Sequence, residues 1–260
     1  MDKIIVITGA SSGIGLGLRN KFTNDGDTVI DISLTESEEK NHYTASVSDE
    51  KRIKEIFEEI GKKYKKIDML INCAGFGMSG ITELISTDDI KGLTEVNYYG
   101  TLYTIRSALP YMDRGSKIIN IASAMALFPV PFRAIYGSVK SAVLTLSFAL
   151  RMELSPLGID VVAFCPGDIK TNFTKNRIKN FETSERYGNR LESATEKSDS
   201  RENKRIPCEV CVNKMYKKIR KKKSKPFYII GGKYKMLHFL TKVTTKSWLL
   251  SITNKLYGGK

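Results

Sequence analysis

The sequence has two histidines, four cysteines and seven prolines among 260 residues, and no unbroken apolar run nears the ~18 residues a membrane span needs. Each scarcity excludes something. Four cysteines in a chain of this length do not form a disulfide framework, which favours a reducing, cytoplasmic compartment. Cys208-Glu209-Val210-Cys211 has Cys-x2-Cys spacing. No second pair exists to complete a tetrahedral zinc site, and the only histidines are His42 and His238, so no metal is indicated. Pro207 and Glu209 instead predict the opening turn of a helix in which the two cysteines pack. The N-terminus lacks the basic-then-apolar pattern of a signal peptide: Ile4-Ile5-Val6-Ile7 stops at Thr8-Gly9 and reads as a buried strand. No internal repeat is present.

What is there suits a folded globular chain: 41% hydrophobic and 27% charged residues, short enough to form one domain over residues 1–260. The net charge of +14 is uneven. Residues 201–260 carry 17 Lys/Arg against two acids, whereas residues 1–200 carry 25 against 26, so the whole excess lies in the last quarter.

Apolar runs at 3–8, 28–33, 68–72, 117–122, 160–165 and 227–230 alternate with helical patterns at Ile14–Asn24, Glu50–Lys62, Asp88–Tyr111 and Tyr136–Leu154. That alternation predicts βαβ units, and hence an α/β fold with a doubly wound parallel sheet of at least six strands (a Rossmann fold) and a basic C-terminal extension over 231–260. The polar stretch 182–206 reads as a mobile loop or lid, and the lid as a whole is expected over 174–206.

Strand one runs into Thr8-Gly9-Ala10-Ser11-Ser12-Gly13-Ile14-Gly15 and then a helix. Glycine allows the tight turn and close approach, and the helix N-terminus offers free N–H groups to a pyrophosphate. The spacing is Gly-x3-Gly-x-Gly. Further along stand Asn72-Cys73-Ala74-Gly75, Val96-Asn97-Tyr98 and Ile121-Ala122-Ser123. Tyr136-Gly137-Ser138-Val139-Lys140 and Pro166-Gly167-Asp168-Ile169-Lys170-Thr171 follow.

In this order, over about residues 3–175, the motifs resemble those of the short-chain dehydrogenase/reductase family, with one departure at Cys73, where the family has Asn. The resemblance implies an NAD(P)-dependent oxidoreductase that interconverts a carbonyl and an alcohol. Tyr136 would be the acid/base and Lys140 would tune it and bind the nicotinamide ribose. Ser123 would hold the substrate oxygen, and Asn97 would keep a water in a proton relay. Cofactor contacts would come from Gly9, Ser11, Ser12, Gly13, Ile14, Gly15, Ser33, Asn72, Ala74, Gly75, Pro166, Gly167, Ile169 and Thr171, besides Tyr136 and Lys140. It also implies a homodimer or homotetramer.

The spacing of Tyr136 and Lys140, i and i+4 on a helix, puts them on one face, and a nearby ammonium is expected to lower the phenol's pKa. The end of strand two decides between dinucleotides: the family's acidic position falls on Ser33 and its arginine position on Leu34, while Asp31 comes two residues early. With no carboxylate to repel a 2′-phosphate, NADP stands ahead of NAD. Two segments are expected to line the substrate pocket: the region following Thr171, and Ala124–Arg133, where Met125, Leu127, Phe128, Val130 and Phe132 form either an apolar wall or core.

The alternatives are a 3-oxoacyl thioester reductase of the same family, or a non-catalytic dinucleotide-sensing protein with a partner-binding tail. For the basic tail three readings stand open: a solvated helix surface over the pocket, peripheral adhesion to a membrane, or an acidic partner. Nucleic acid is disfavoured, because a basic patch without a recognition motif is only an electrostatic footprint.

Overall fold

The computed structural model describes residues 2–173, 177–180, 182–200 and 205–258. Seven parallel strands form the main sheet: β1 Ile4–Thr8, β2 Thr28–Ser33, β3 His42–Thr44, β4 Met69–Asn72, β5 Lys117–Ile121, β6 Asp160–Pro166 and β7 Phe227–Ile230. Their order is β7-β6-β5-β4-β1-β2-β3. β1 is central, with Val6 opposite Ile30 on one side and Leu70 on the other. The six expected strands are all present. β3 is the addition: its three residues, two half-buried and Thr44 exposed, carry no apolar run, and the edge position accepts a strand that short.

Because successive side chains point to opposite faces, Val6 and Ile5 enter different cores. Val6, Ile30 and Ile32 pack with Ile53, Ile56, Phe57 and Ile60 of α2, Glu50–Tyr64. The Asp49 carboxylate caps α2 by accepting from the Arg52 N–H at 2.9 Å. On the other face, Ile5 and Ile7 pack with Leu18 and Phe22 of α1, Gly13–Asn24, and with Cys211, Val212, Met215 and Ile219 of α7, Cys208–Ile219. Cys211 is thus core, and both cysteines lie at the opening of the expected helix.

Two helical expectations change. Asp88–Tyr111 is not one regular helix: α3, Thr87–Thr94, passes through a π-helical turn at Glu95–Tyr99 into α4, Gly100–Ala108. The extra residue per turn re-aims Asn97, which is fully buried. The 182–206 stretch is not all loop, since it holds α6, Arg190–Asp199, anchored by the buried Leu191. Residues 174–176, 181 and 201–204 of the expected lid lie outside the described residues. Two-residue strands tie down its ends, Ile178–Lys179 on Met78–Ser79 and Ile206–Pro207 on Ile169–Lys170. Helix α5, Ala134–Leu154, begins two residues before Tyr136. The C-terminal quarter ends in a pair, α8 Gly232–Val243 and α9 Lys246–Tyr257. Strand order reverses between β1 and β4, so a crevice opens there at the strands' C-terminal ends.

Candidate active site

A cavity of about 430 Å³ occupies that crevice. At one end lies the glycine turn. Gly9 has φ +68°, and a Cβ there would come within 2.9 Å of Ala74 Cα; one on Gly15 would stand 2.2 Å from the Gly9 carbonyl oxygen. The turn therefore closes only with glycine at both places. The Thr8 hydroxyl accepts from the N–H groups of Cys73 and Ala74, at 3.2 and 3.1 Å, tying the β4 loop to β1. Ser12 caps α1 in an extended conformation and makes no side-chain capping bond, so it does not claim the N–H groups of the first turn. This cradle fits a pyrophosphate.

Gly9, Ser11, Ser12, Gly13, Ile14, Gly15, Ser33, Ala74, Gly75, Pro166, Gly167, Ile169 and Thr171 all line the cavity, as do Ser123, Tyr136 and Lys140. Asn72 and Asn97 do not. Asn72 stands behind the wall: its amide donates to Asn120 at 2.9 Å and its oxygen accepts from Thr104 at 2.8 Å, which locks β4 to β5 and α4. Asn97 also sits behind the wall, its amide donating to the Phe76 carbonyl at 2.9 Å and its oxygen buried without a protein partner.

Asp31 does not line the cavity. Its buried carboxylate accepts from the Ala10 N–H at 3.1 Å and from the Ser33 hydroxyl at 3.2 Å, with the His42 ring at 3.2 Å and Arg19 at 3.9 Å. It fastens the glycine turn to β2. Ser33, Leu34, Thr35 and Ser46 line this end instead, and none carries a charge.

At the other end, Ser123 closes β5 and its hydroxyl accepts from the Met125 N–H at 3.2 Å. Tyr136 and Lys140 stand one turn apart on α5, both buried. Lys140 Nζ donates to the Ile121 carbonyl at 3.0 Å. Burial raises the Tyr136 phenol above its ordinary range; a hydrogen bond with Ser123 and the charges of Arg177 and Arg133 pull it down. The expected lowering by Lys140 is not found. Its ammonium is turned to Ile121 and is itself desolvated, which brings its pKa down to about 8 against the upward pull of Cys73 and Cys165. Cys73 lines the cavity, but burial pushes its thiol up to about 12, so it is no nucleophile near neutrality.

Of the apolar loop, only Ala124 and Met125 reach the cavity. Phe128 and Val130 are buried against Tyr234, Leu237 and Leu249 of α8 and α9, with Leu127 packed beside them, so this loop is mostly core. Phe173 and Arg177 line the cavity from the expected segment after Thr171, whereas sequence reasoning missed Phe76 and Tyr234, which also line it. Tyr234 packs on Gly167, where a Cβ would meet its ring at 2.0 Å, and its hydroxyl donates to Asp168. Only the glycine of Pro166-Gly167 hinted that a ring packs there.

Comparison with known proteins agrees with this geometry. The family model for short chain dehydrogenases matches residues 3–181. A 3-ketodihydrosphingosine reductase of Bacteroides thetaiotaomicron is 34% identical over 180 residues, 67% of each chain. A probable short-chain type dehydrogenase/reductase, VdlC, of Helicobacter pylori is 31% identical over 257 residues, 95% of each chain. Among solved structures, ElxO with NADP bound superposes with a TM-score of 0.74 at 26% identity, over 91% of this chain and all of that one. With its parallel Rossmann sheet and glycine-turn cavity, this chain belongs to the short-chain dehydrogenase/reductase family of oxidoreductases.

Proposed function

We propose that the protein is an NAD(P)-dependent oxidoreductase that interconverts a hydrophobic carbonyl compound and its alcohol, with Tyr136 as general acid/base. The observation that carries this reading is one continuous cavity, with the glycine cradle at one end and Ser123, Tyr136 and Lys140 at the other. Bound nicotinamide supplies the hydride. Ser123 orients the carbonyl oxygen, and the Tyr136 phenol, whose pKa burial raises further above neutrality, gives that oxygen its proton. In the oxidative direction Tyr136 takes the proton back. Lys140 and Asn97 refill the phenol: the unpartnered Asn97 oxygen suits a relay water between it and Lys140. Phe76, Phe173 and Met125 supply the apolar surface for the substrate.

NADP stands ahead of NAD, because no carboxylate lines the Ser33–Thr35 end and Asp31 is engaged behind it. The NADP held by ElxO points the same way. A cytoplasmic homodimer or homotetramer completes the proposal. A second reading is a 3-oxoacyl thioester reductase, since a 3-oxoacyl-[acyl-carrier-protein] reductase of Thermotoga maritima is 31% identical over 188 residues.

The test is oxidation of NADPH and NADH against ketones, aldehydes and acyl thioesters, with Tyr136→Phe alongside. The expected result is turnover that falls at least ~100-fold in the variant while cofactor binding persists. Cofactor binding without any turnover would overturn the enzyme reading and favour a dinucleotide sensor.

A further inference from the structure

Most of the basic residues of the last quarter fall into two groups. Lys217, Lys218, Arg220 and Lys221–Lys223 end α7 and precede β7, so they lie at the sheet's N-terminal edge, away from the cavity. The second group lies on α8 and α9, which follow β7 at the cavity end. From Gly232 to Tyr257 there are five lysines (Lys233, Lys235, Lys242, Lys246 and Lys255) and not one acid.

One face of α8 is built into the protein through Tyr234 and Leu237. The opposite face is apolar and bare: Met236, Phe239 and Val243 are 59%, 62% and 59% exposed. At about 100° per residue these three share one narrow stripe, with Lys235 and Lys242 on one flank and Lys233 on the other. Beyond Val243 the chain turns at Thr244-Thr245, where the Thr245 hydroxyl caps α9 by accepting from the Trp248 N–H at 3.3 Å. Trp248 and Leu250 are 47% and 51% exposed on the next turns. Lone exposed apolar residues are ordinary; a helical stripe of three that lysines border is not.

We propose that α8 and the start of α9 form a docking surface for an anionic lipid bilayer, with Met236, Phe239, Val243 and Trp248 entering the acyl boundary and the lysines meeting the headgroups. The charge selects this occupant. A second copy would bring the same acid-free, lysine-rich face against this one and be repelled, whereas an anionic bilayer complements both the stripe and its flanks. No helix among the described residues is long and apolar enough to cross a membrane, so the contact is peripheral. The same helix reaches the active site: one turn below Leu237, Tyr234 lines the cavity and bonds Asp168. Docking through α8 therefore sets the cavity beside the bilayer. That suits a lipid-dissolved carbonyl substrate and deepens the function proposed above, although docking itself requires no turnover.

The test is co-sedimentation of the full chain with phosphatidylcholine vesicles, with and without phosphatidylglycerol, at low and high salt. Wild type is expected to sediment with the anionic vesicles only, and less at high salt. Phe239→Glu, at an exposed position outside the active site, should weaken binding at least about tenfold. Lys235→Glu with Lys242→Glu should weaken it similarly, and both variants should keep the wild-type melting temperature. Failure to sediment overturns the proposal. So does sedimentation untouched by Phe239→Glu, which would place adhesion at the Lys221–Lys223 edge. A fall in solution mass of Phe239→Glu by light scattering overturns it too, by showing that a second copy covers the stripe. Vesicle binding by a protein that turns over no carbonyl would leave docking standing and remove the enzyme reading alone.

Discussion

The Asn97 side-chain oxygen lies 2.1 Å from the point where a Gly75 side chain would begin, and Lys140 Nζ lies 3.6 Å from that same point. A Cβ at Gly75 would thus press on the Asn97 oxygen and stand beside the Lys140 ammonium. Gly75 also has φ +155°, a conformation side chains disfavour. Gly75→Ala is expected to lower kcat about tenfold or more, with a smaller change in substrate KM, because proton resupply is interrupted while the substrate end stays intact. Asn97→Ala should do the same, and the steady-state kinetics of the two variants check it. An unchanged kcat in both would remove the relay.

Lys140 makes an apo-protein stability prediction. Its pKa falls from an ordinary 10.5 to about 8 because burial disfavours the ammonium. Between those values the folded chain binds fewer protons than the unfolded one, so stability rises with pH across that window and the gain is absent below about pH 8. The full effect is on the order of 3 kcal/mol. Melting curves of apo-protein from pH 7 to 10 should show this rise against the background of other groups, and Lys140→Met should remove it. A Lys140→Met profile parallel to wild type would show that the ammonium is hydrated in solution.

How much of this was legible in the sequence follows from the range of the forces involved. The strands of the sheet are runs such as Ile4–Thr8, whose burial is local and periodic, and the glycine turn is local too. β3 was not legible, since His42–Thr44 carries no apolar signal and pairs only because Asp31 and Ser33 stand beside it. Asn97 was found by motif, but the π-turn that buries it arises from packing. Tyr234 reaches the cavity from α8, an element that follows the expected lid, a contact set by tertiary structure. The Tyr136–Lys140 pair shows the same limit. Spacing predicts shared orientation along a helix, but not that both groups would be desolvated and that Lys140 would turn to the Ile121 carbonyl.

Cofactor preference is open to a single substitution. The Ser33 hydroxyl donates to Asp31 at 3.2 Å while lining the ribose end of the cavity. Ser33→Asp places a carboxylate where a 2′-phosphate would lie and where ribose hydroxyls can donate to it. The ratio of kcat/KM for NADPH over NADH is expected to fall at least tenfold, about 1.4 kcal/mol. An unchanged ratio would mean that the ribose is bound away from β2.

Tyr234→Phe probes the join between α8 and the Pro166–Thr171 segment. The variant keeps the ring that packs on Gly167 and deletes only the hydroxyl that donates to Asp168. A hydrogen bond to a charged acceptor contributes about 1.5–3 kcal/mol when both groups are screened from water. Asp168 is half-buried and can recruit solvent, so the loss should fall at or below the lower figure. Fluorescence titration is then expected to show cofactor Kd rising about threefold to tenfold, with kcat at saturating cofactor nearly unchanged. A fall in kcat with an unaltered Kd would instead put Tyr234 among the groups that position the substrate, since it lines the same cavity as Tyr136.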